Sequence, residues 1–187
     1  MSELKTTVIG RFVGGGLFEA RDDNGRMKHS ACIVFDDPKQ VAKVAAIRDA
    51  AINEKFGTKV PGGLVDWTLR EGDDPEFESS FEKQYINPKS NPKNAPRVVI
   101  KRDGVLEAVE ESDGIVYPGC YVAVSVGAYC MAADKEKKMK ACVCLNLNNV
   151  MFIRDGEKLG GSSNPEDDFD GFESEEADMM DLLGDAA

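Results

Sequence analysis

Two alternating segments, residues 120–130 and 140–154, constrain the fold of this chain more than any other feature. In the first, CYVAVSVGAYC, three valines fall on one face, whereas Tyr121 and Tyr129 fall on the other with small residues between them. The second, KACVCLNLNNVMFIR, places a valine and two leucines on one side in the same way. A period of two predicts strands with one buried face. The charged turn between the segments therefore predicts a long antiparallel hairpin.

One helix is predicted, with signals at both ends. Asp37 before Pro38 supplies an acidic N-cap and a proline in the first turn, and Gly57 follows Phe56 as a stop, so we expect a helix over residues 38–56. Turn residues bound the other apolar runs, which predict strands over 4–13, 28–35, 64–70, 81–86 and 98–101. Many strands with a single helix indicate an antiparallel barrel or sandwich.

The negative charge of the chain is concentrated at its C-terminus. From Pro165 onward the sequence has ten acidic residues and no lysine or arginine, which leaves 24 acidic and 23 basic residues before it. The formal charge of −11 therefore describes the tail rather than the body. So acidic a segment buries too little apolar surface to offset the entropy cost of ordering. We predict a folded domain over residues 1–159 and a disordered acidic tail over residues 160–187.

Residues suited to catalysis or metal binding are scarce. The single histidine, His29, lies in a predicted strand, where a structural role is the simpler interpretation. Cys142 and Cys144 share a strand face, but no second pair of ligands lies nearby in sequence. The glycine run 14–16 lacks the Lys-Ser/Thr of a phosphate-binding loop. We predict no enzymatic activity, no metal and no cofactor.

The five cysteines are an odd number scattered among apolar residues, which predicts reduced thiols rather than a disulfide framework. No signal peptide opens the sequence, and its apolar stretches are shorter than the roughly 20 residues that a membrane span requires. We therefore expect a soluble intracellular protein.

A basic strip is the strongest binding signal in the body of the chain. Residues 83–102 contain six basic residues and no acidic one. Such a strip can follow the phosphates of a nucleic acid, although a solvated lysine-rich loop is the alternative. Exposed tyrosines of the hairpin can stack on bases at roughly 1–3 kcal/mol per base, unless a loop covers them. The candidate DNA-binding residues are Lys83, Tyr85, Lys89, Lys93, Arg97, Lys101, Arg102, Tyr121 and Tyr129.

Five short blocks form a series along nearly the whole chain. They are GGGLFE at 14–19, YPGCYV at 117–122, LNLNNV at 145–150, RDGEKLGG at 154–161 and PEDDF at 165–169. Together with the helix after Pro38, they resemble phage-encoded single-stranded-DNA-binding proteins related to the T7-type helix-destabilising protein. The resemblance implies an OB-fold, a five-stranded antiparallel barrel with one main helix. It also implies sequence-independent binding of single-stranded DNA in a basic groove, in phage replication, recombination and repair.

The resemblance further implies two roles for the acidic tail, which would compete with DNA for the groove and contact phage or host replication proteins. Relatives in the wider functional class often end in an aromatic residue, whereas this chain ends Asp185-Ala186-Ala187. The apolar residues inside the tail are therefore the candidate docking points: Phe169, Phe172, Met179, Met180, Leu182 and Leu183. We expect the protein to act in the cytoplasm of the infected bacterial host, and the sequence is compatible with a homodimer.

Two other functions stay open at this point. One is an acidic nucleic-acid mimic that inhibits a host nucleic-acid enzyme; such a protein would not itself retard oligonucleotides in a gel. The other is a nucleic-acid enzyme whose dispersed carboxylates bind a metal, which a nuclease assay with magnesium or manganese would detect.

Overall fold

The computed structural model describes residues 4–71 and 83–159 of the 187-residue chain. These residues form a mainly β domain with one α-helix, as the sequence predicts. The strands are β1 Lys5–Gly14, β2 Arg21–Asp22, β3 Met27–Ser30, β4 Cys32–Val34, β5 Val65–Asp66, β6 Tyr85–Ile86, β7 Lys89–Ser90, β8 Arg97–Arg102, β9 Val105–Ala108, β10 Tyr121–Met131 and β11 Cys142–Arg154. The helix α1 spans Pro38–Phe56, and short 3₁₀ turns cover Pro92–Asn94 and Glu111–Asp113.

The strands form a curled open sheet, a half-barrel, in the order β2-β3-β7-β11-β10-β1-β4-β6. β5 and β8 also pair with β11, and β9 pairs with β8. The expected count of five strands is wrong, and so is the all-antiparallel pairing, because β5, β7 and β8 run parallel to β11. Two of these strands are only two residues long. Such short segments show no periodicity in sequence. They become strands because their backbones pair with the edge of β11.

The long hairpin forms as predicted, with β10 and β11 antiparallel over their whole length. Val122, Val124 and Val126 are fully buried, which confirms the core face of β10. The pairing shifts register between Ser125 and Val126, where β11 holds the extra residue Asn148. This bulge reverses the alternation of β11, so that Val150 rather than Asn149 is buried after it.

The helix begins and ends where its capping residues predict. The Asp37 side chain accepts a hydrogen bond from the Lys39 backbone N–H at 2.9 Å, and Gly57 at the C-cap has φ 54°. Its buried residues Val44, Ile47 and Ala51 pack into the main core with the inner face of the sheet.

Among the helices of the described residues, none is both long and apolar enough to cross a bilayer.

α1 also covers an edge of the sheet. β4 pairs with β1 only from Arg11 onward, and no other strand of the described residues pairs with the first half of β1 on that side. There the Gln40 side chain accepts from the Ile9 backbone N–H at 3.1 Å, and Lys43 Nζ donates to the Thr7 carbonyl at 3.4 Å. The helix thus fixes β1 from the core side, and α1, the one α-helix of the described residues, leaves the opposite face of the sheet open.

Candidate nucleic-acid interface

The side of the hairpin that faces away from the core is a broad polar surface, which we call the outer face. On β10 it carries Tyr121, Ala123, Ser125, Gly127 and Tyr129. Residues paired directly across strands share a face. The pairing therefore adds Lys5, Thr7, Ile9 and Arg11 of β1, Cys144, Asn146, Asn149, Met151 and Arg154 of β11, Lys89 of β7, and Arg97 and Val99 of β8.

At one end of the outer face, Trp67 and Tyr129 line a common open cavity of about 290 Å³. We call this cavity the Trp67–Tyr129 pocket. Its other lining residues are Asp23, Asn24, Arg70, Asn87, Lys89, Cys144 and Leu145. Trp67 is 49% exposed and Tyr129 is 42% exposed. Two exposed aromatic rings beside one cavity provide surfaces on which a planar group such as a nucleobase can stack.

The backbone holds Trp67 in place beside the hairpin. Its N–H donates to the Val143 carbonyl at 2.9 Å, one residue before Cys144, and Cys144 is the partner of Tyr129 across the β10–β11 pair. The next residue, Thr68, is fully buried, and both its N–H and its hydroxyl donate to an Asp66 carboxylate oxygen, at 2.7 and 2.6 Å. Hydrogen bonds therefore hold the backbone at Trp67 and at the residue that follows it.

The hydroxyl and thiol groups of the pocket are uncharged at neutral pH. Burial raises the pKa of Tyr129 to about 12, with a further contribution from Cys144. Burial also raises the pKa of Cys144 to about 12, helped by the Cys142 thiol 3.8 Å away. Among the described residues no group of three or more potential ligands surrounds these thiols or any other point, so no metal site is assigned.

Two cations, Lys89 and Arg70, border the pocket, and each has a different partner. Lys89 Nζ lies 2.7 Å from an Asp23 carboxylate oxygen, which offsets its charge locally. The guanidinium carbon of Arg70 lies 5.1 Å from the centre of the Trp67 ring, within the range of a cation–π contact. The pocket therefore combines aromatic surface with one cation held against the indole.

A polar hollow of about 410 Å³ lies further along the outer face, between the positions of the two tyrosines. Its lining residues are Lys5, Asn94, Ala95, Ser125, Asn146, Leu147, Asn148 and Asn149. The Asn146 side-chain amide donates to Asn148 Oδ1 at 2.8 Å, and Asn149 Oδ1 accepts from the Arg97 backbone N–H at 3.4 Å. Amide groups beside the charge of Lys5 suit the hydrogen-bonding of a sugar-phosphate backbone.

Tyr121 marks the other end of the outer face and is already engaged. The Arg154 guanidinium lies 3.6 Å from its ring centre, and its hydroxyl donates to Asp36 at 3.1 Å. Lys83 forms an ion pair with the same carboxylate, and this hydrogen-bonded lysine is the main reason that the pKa of Asp36 lies below its usual value. A base can stack on this ring only by displacing Arg154 or by using the opposite ring face.

The predicted DNA-binding residues do not form one site. Eight positions separate Tyr121 from Tyr129 along β10, which corresponds to roughly 26 Å of strand. Arg97 lies on the outer face, and alternation along β8 puts Lys101 on the same side and Arg102 on the other. Arg102 instead forms an ion pair with Glu107 at 3.3 Å across the β8–β9 hairpin.

Two further predicted residues differ in accessibility. Lys93 lies in the 3₁₀ turn next to the polar hollow and is exposed. Tyr85 is only 4% exposed and packs in a small cluster with Cys32 and Val34. Its strand β6 pairs with β4 at the edge of the sheet, so we remove Tyr85 from the interface.

The tail residues Phe169, Phe172, Met179, Met180, Leu182 and Leu183 lie outside the described residues.

Sequence reasoning missed Trp67, Arg70 and Lys5. Trp67 falls in a predicted strand, and nothing in its neighbourhood distinguishes an exposed ring from a core ring. It is, however, the only tryptophan of the chain. Since aromatic side chains are a frequent stacking platform for bases, its presence was the one feature of the sequence that could have indicated this site. Parallel pairing with β11 brings it to Tyr129, and sequence spacing does not reveal such pairing.

The chain matches a known protein family. Residues 6–180 match the protein family described as Enterobacter phage Enc34, ssDNA-binding protein. The chain belongs to this family. A comparison with curated protein sequences gives no match. Proteins of the family bind single-stranded DNA and are not enzymes, which agrees with the expected lack of catalytic activity.

Several solved structures share the fold. The single-stranded DNA-binding protein from bacteriophage Enc34 in complex with ssDNA has a TM-score of 0.67 at 15% identity, over 83% of this chain and 89% of that chain. The same phage protein in a second structure gives 0.62 at 17% identity, over 88% of each chain. gp2.5, a single-stranded DNA binding protein encoded by bacteriophage T7, gives 0.53 at 14% identity, over 88% of this chain and 99% of that chain.

Proposed function

We propose that this protein binds single-stranded DNA across the outer face without catalysing a reaction. The observation that carries the proposal is the Trp67–Tyr129 pocket, where two aromatic rings, exposed within the described residues, lie beside Arg70 and Lys89 on the outer face. Stacking on aromatic rings and contacts of basic residues with phosphates are the two means by which proteins hold single strands. Family membership and the structure of the Enc34 relative in complex with ssDNA support it.

The path of the strand follows from the positions of the cations. We place bases on Trp67 and Tyr129, and phosphates along the polar hollow toward Lys5 and Arg97. Within the described residues, Lys5, Arg97 and Lys101 form no ion pair, so their charges are available to DNA. The curled sheet is, in this proposal, an elaborated OB barrel whose outer face carries the strand.

Replacing Trp67 by alanine is expected to weaken binding of oligothymidylate about 5- to 150-fold, the equivalent of one stacked base at 1–3 kcal/mol. The measurement is fluorescence anisotropy of a labelled oligonucleotide. In the unmodified protein, stacking should also quench the emission of Trp67, the only tryptophan.

Two matched variants test the stacking interpretation. Trp67→Phe keeps a ring and should lose less affinity, and Val60→Ala removes an apolar side chain of equal exposure, 49%, from outside the pocket. If Trp67→Ala binds as the unmodified protein does, the pocket is not part of the interface. If neither the unmodified protein nor the Trp67→Ala variant binds oligonucleotides, the proposed function itself is wrong.

We also propose that the protein serves phage replication, recombination and repair in the host cytoplasm, with the acidic tail contacting replication proteins. Ten acidic residues on a tether compete with DNA for the cations of the outer face. Ending the chain after Ser163 is therefore expected to tighten binding to oligothymidylate, most strongly at low salt, where charges are least screened. Titration of full-length and shortened protein at two salt concentrations measures this.

A second tail variant separates its two proposed roles. Replacing Phe169, Phe172, Met179, Met180, Leu182 and Leu183 by serine keeps every negative charge. This variant should bind DNA like the full-length protein and lose only the contact with partner proteins. A shortened protein with equal or weaker DNA affinity would contradict competition by the tail.

A further inference from the structure

The Trp67–Tyr129 pocket contains hydrogen-bonding groups without partners as well as aromatic surface. Arg70 Nε and Asn87 Oδ1 are buried atoms, and within residues 4–71 and 83–159 neither has a hydrogen-bond partner. Both residues line the pocket. A buried polar atom left unpaired is unfavourable. A ligand that offers an acceptor to Arg70 and a donor to Asn87 therefore gains from both contacts.

The remaining groups suit a neutral planar ligand better than a phosphate. Tyr129 and Cys144 are uncharged, and Asp23 compensates Lys89 at the border of the pocket. Arg70 lies over one face of the Trp67 ring, so a base stacks on the opposite face of the indole or on Tyr129, beside the guanidinium. The cavity volume of about 290 Å³ is close to the lower end for small-molecule sites, about 300 Å³.

We propose that this pocket holds one unstacked nucleobase and prefers guanine. The inference rests on the single-stranded-DNA binding proposed above and adds a base preference to it. Guanine presents two neighbouring acceptors, O6 and N7, to the forked donors of an arginine, which is the commonest specific contact between proteins and bases. On the other side of O6, guanine N1–H donates to Asn87 Oδ1. Both atoms are buried in the structure, so the proposal requires that the side chains of Arg70 and Asn87 rotate when the base binds.

The other bases fit the same donors and acceptor less well. Adenine places an amino group where guanine has O6, so two donors would face each other at Arg70. Thymine places its methyl group beside O4, where guanine has the second acceptor N7. Cytosine can pair with both residues, but its single ring offers less area for stacking on Trp67 and Tyr129 than a purine does. Guanine alone offers two acceptors to the Arg70 guanidinium, a donor to Asn87 Oδ1 and a purine ring to Trp67 and Tyr129.

The experiment uses the full chain and oligothymidylates in which one internal thymine is replaced by guanine, adenine, cytosine or an abasic residue. A single guanine in a thymine strand avoids self-association of the DNA. Anisotropy of a label on the DNA reports binding, and the emission of Trp67 reports occupancy of the pocket. The guanine strand is expected to bind roughly tenfold more tightly than the all-thymine strand, and the abasic strand no better than the all-thymine strand.

Two pocket variants and one control complete the test. Arg70→Lys keeps the positive charge but loses the fork, and Asn87→Ala removes the acceptor. Each should abolish the preference for guanine, measured as the ratio of the affinities for the guanine strand and the all-thymine strand, whereas Arg97→Lys, outside the pocket, should keep that ratio. Thermal unfolding of each variant checks that the fold is intact. Equal binding of all strands, a preference for another base, or a guanine preference that survives both pocket variants overturns the inference. Failure to bind any strand instead refutes the proposed function.

Discussion

Reversing three charges on the outer face, by replacing Lys5, Arg97 and Lys101 with glutamate, is expected to abolish most of the affinity for single-stranded DNA. These residues carry no ion pair within the described residues, so they are free to contact phosphates. Each phosphate contact on a single strand contributes about 0.7 to the slope of log affinity against log salt. Losing three contacts lowers that slope by about 2, which corresponds to roughly hundredfold at 0.1 M salt.

A matched triple variant controls for net charge. Lys39, Lys55 and Lys59 are exposed residues on α1 and just after it, and α1 packs against the core side of the sheet. Changing them to glutamate alters the total charge of the protein by the same amount. Oligothymidylate titrations at several salt concentrations should then show a reduced slope only for the outer-face variant. The same slope in both variants would mean that net charge, not the outer face, governs binding.

Replacing Gly119 by alanine is expected to cost more stability than alanine at any other glycine of the described residues. Gly119 has φ +114°, and an added Cβ would lie 1.9 Å from the Glu157 carbonyl oxygen and 2.8 Å from its carbonyl carbon. Both obstacles are backbone, so no side-chain rotation relieves the contact. Backbone strain and overpacking each cost roughly 1–3 kcal/mol. The midpoint of thermal unfolding should therefore fall by roughly 10 °C.

Gly104→Ala is the control for this substitution. Gly104 also has positive φ, +82°, but an added Cβ meets nothing within 4 Å. It should therefore show only the backbone strain, a decrease of a few degrees. If both variants lose the same stability, the close approach of Gly119 to Glu157 contributes nothing. Arg11, which pairs with Tyr121 across β1 and β10, also joins the two segments, because it donates to both the Gly119 and the Glu157 carbonyls, at 3.2 and 2.6 Å.

Local signals in the sequence were sufficient for the regular elements. The helix 38–56 has its ends as predicted because Asp37 and Gly57 act through the backbone next to them. The hairpin 120–130 with 140–154 is correct to within two residues, because burial of one face imposes a period of two. Short strands were harder to predict from the sequence. The predicted strand 64–70 is reduced to Val65–Asp66, because its pairing depends on the edge of β11, which is distant in sequence.

The candidate site was predicted in part, because its residues come from separate segments. Lys89 and Tyr129, both proposed from sequence, meet at one pocket, whereas Tyr121 lies at the opposite end of the strand beside Lys83 and Asp36. Tyr85 is buried, although it lies within the basic strip. Charge and aromatic content indicate binding, but exposure of a side chain depends on what the remainder of the chain places against it.

The sequence by itself determined the capped helix, the alternating hairpin and the charge contrast between body and tail, because each depends on residues within a few positions of one another. The tertiary structure alone decided which aromatic rings are exposed and which cations are already paired. Parallel pairing of β5 and β7 with β11 carries Trp67 and Lys89 to Tyr129. Contacts between residues so far apart in the chain follow from packing of the whole sheet, for which a local sequence pattern has no signal.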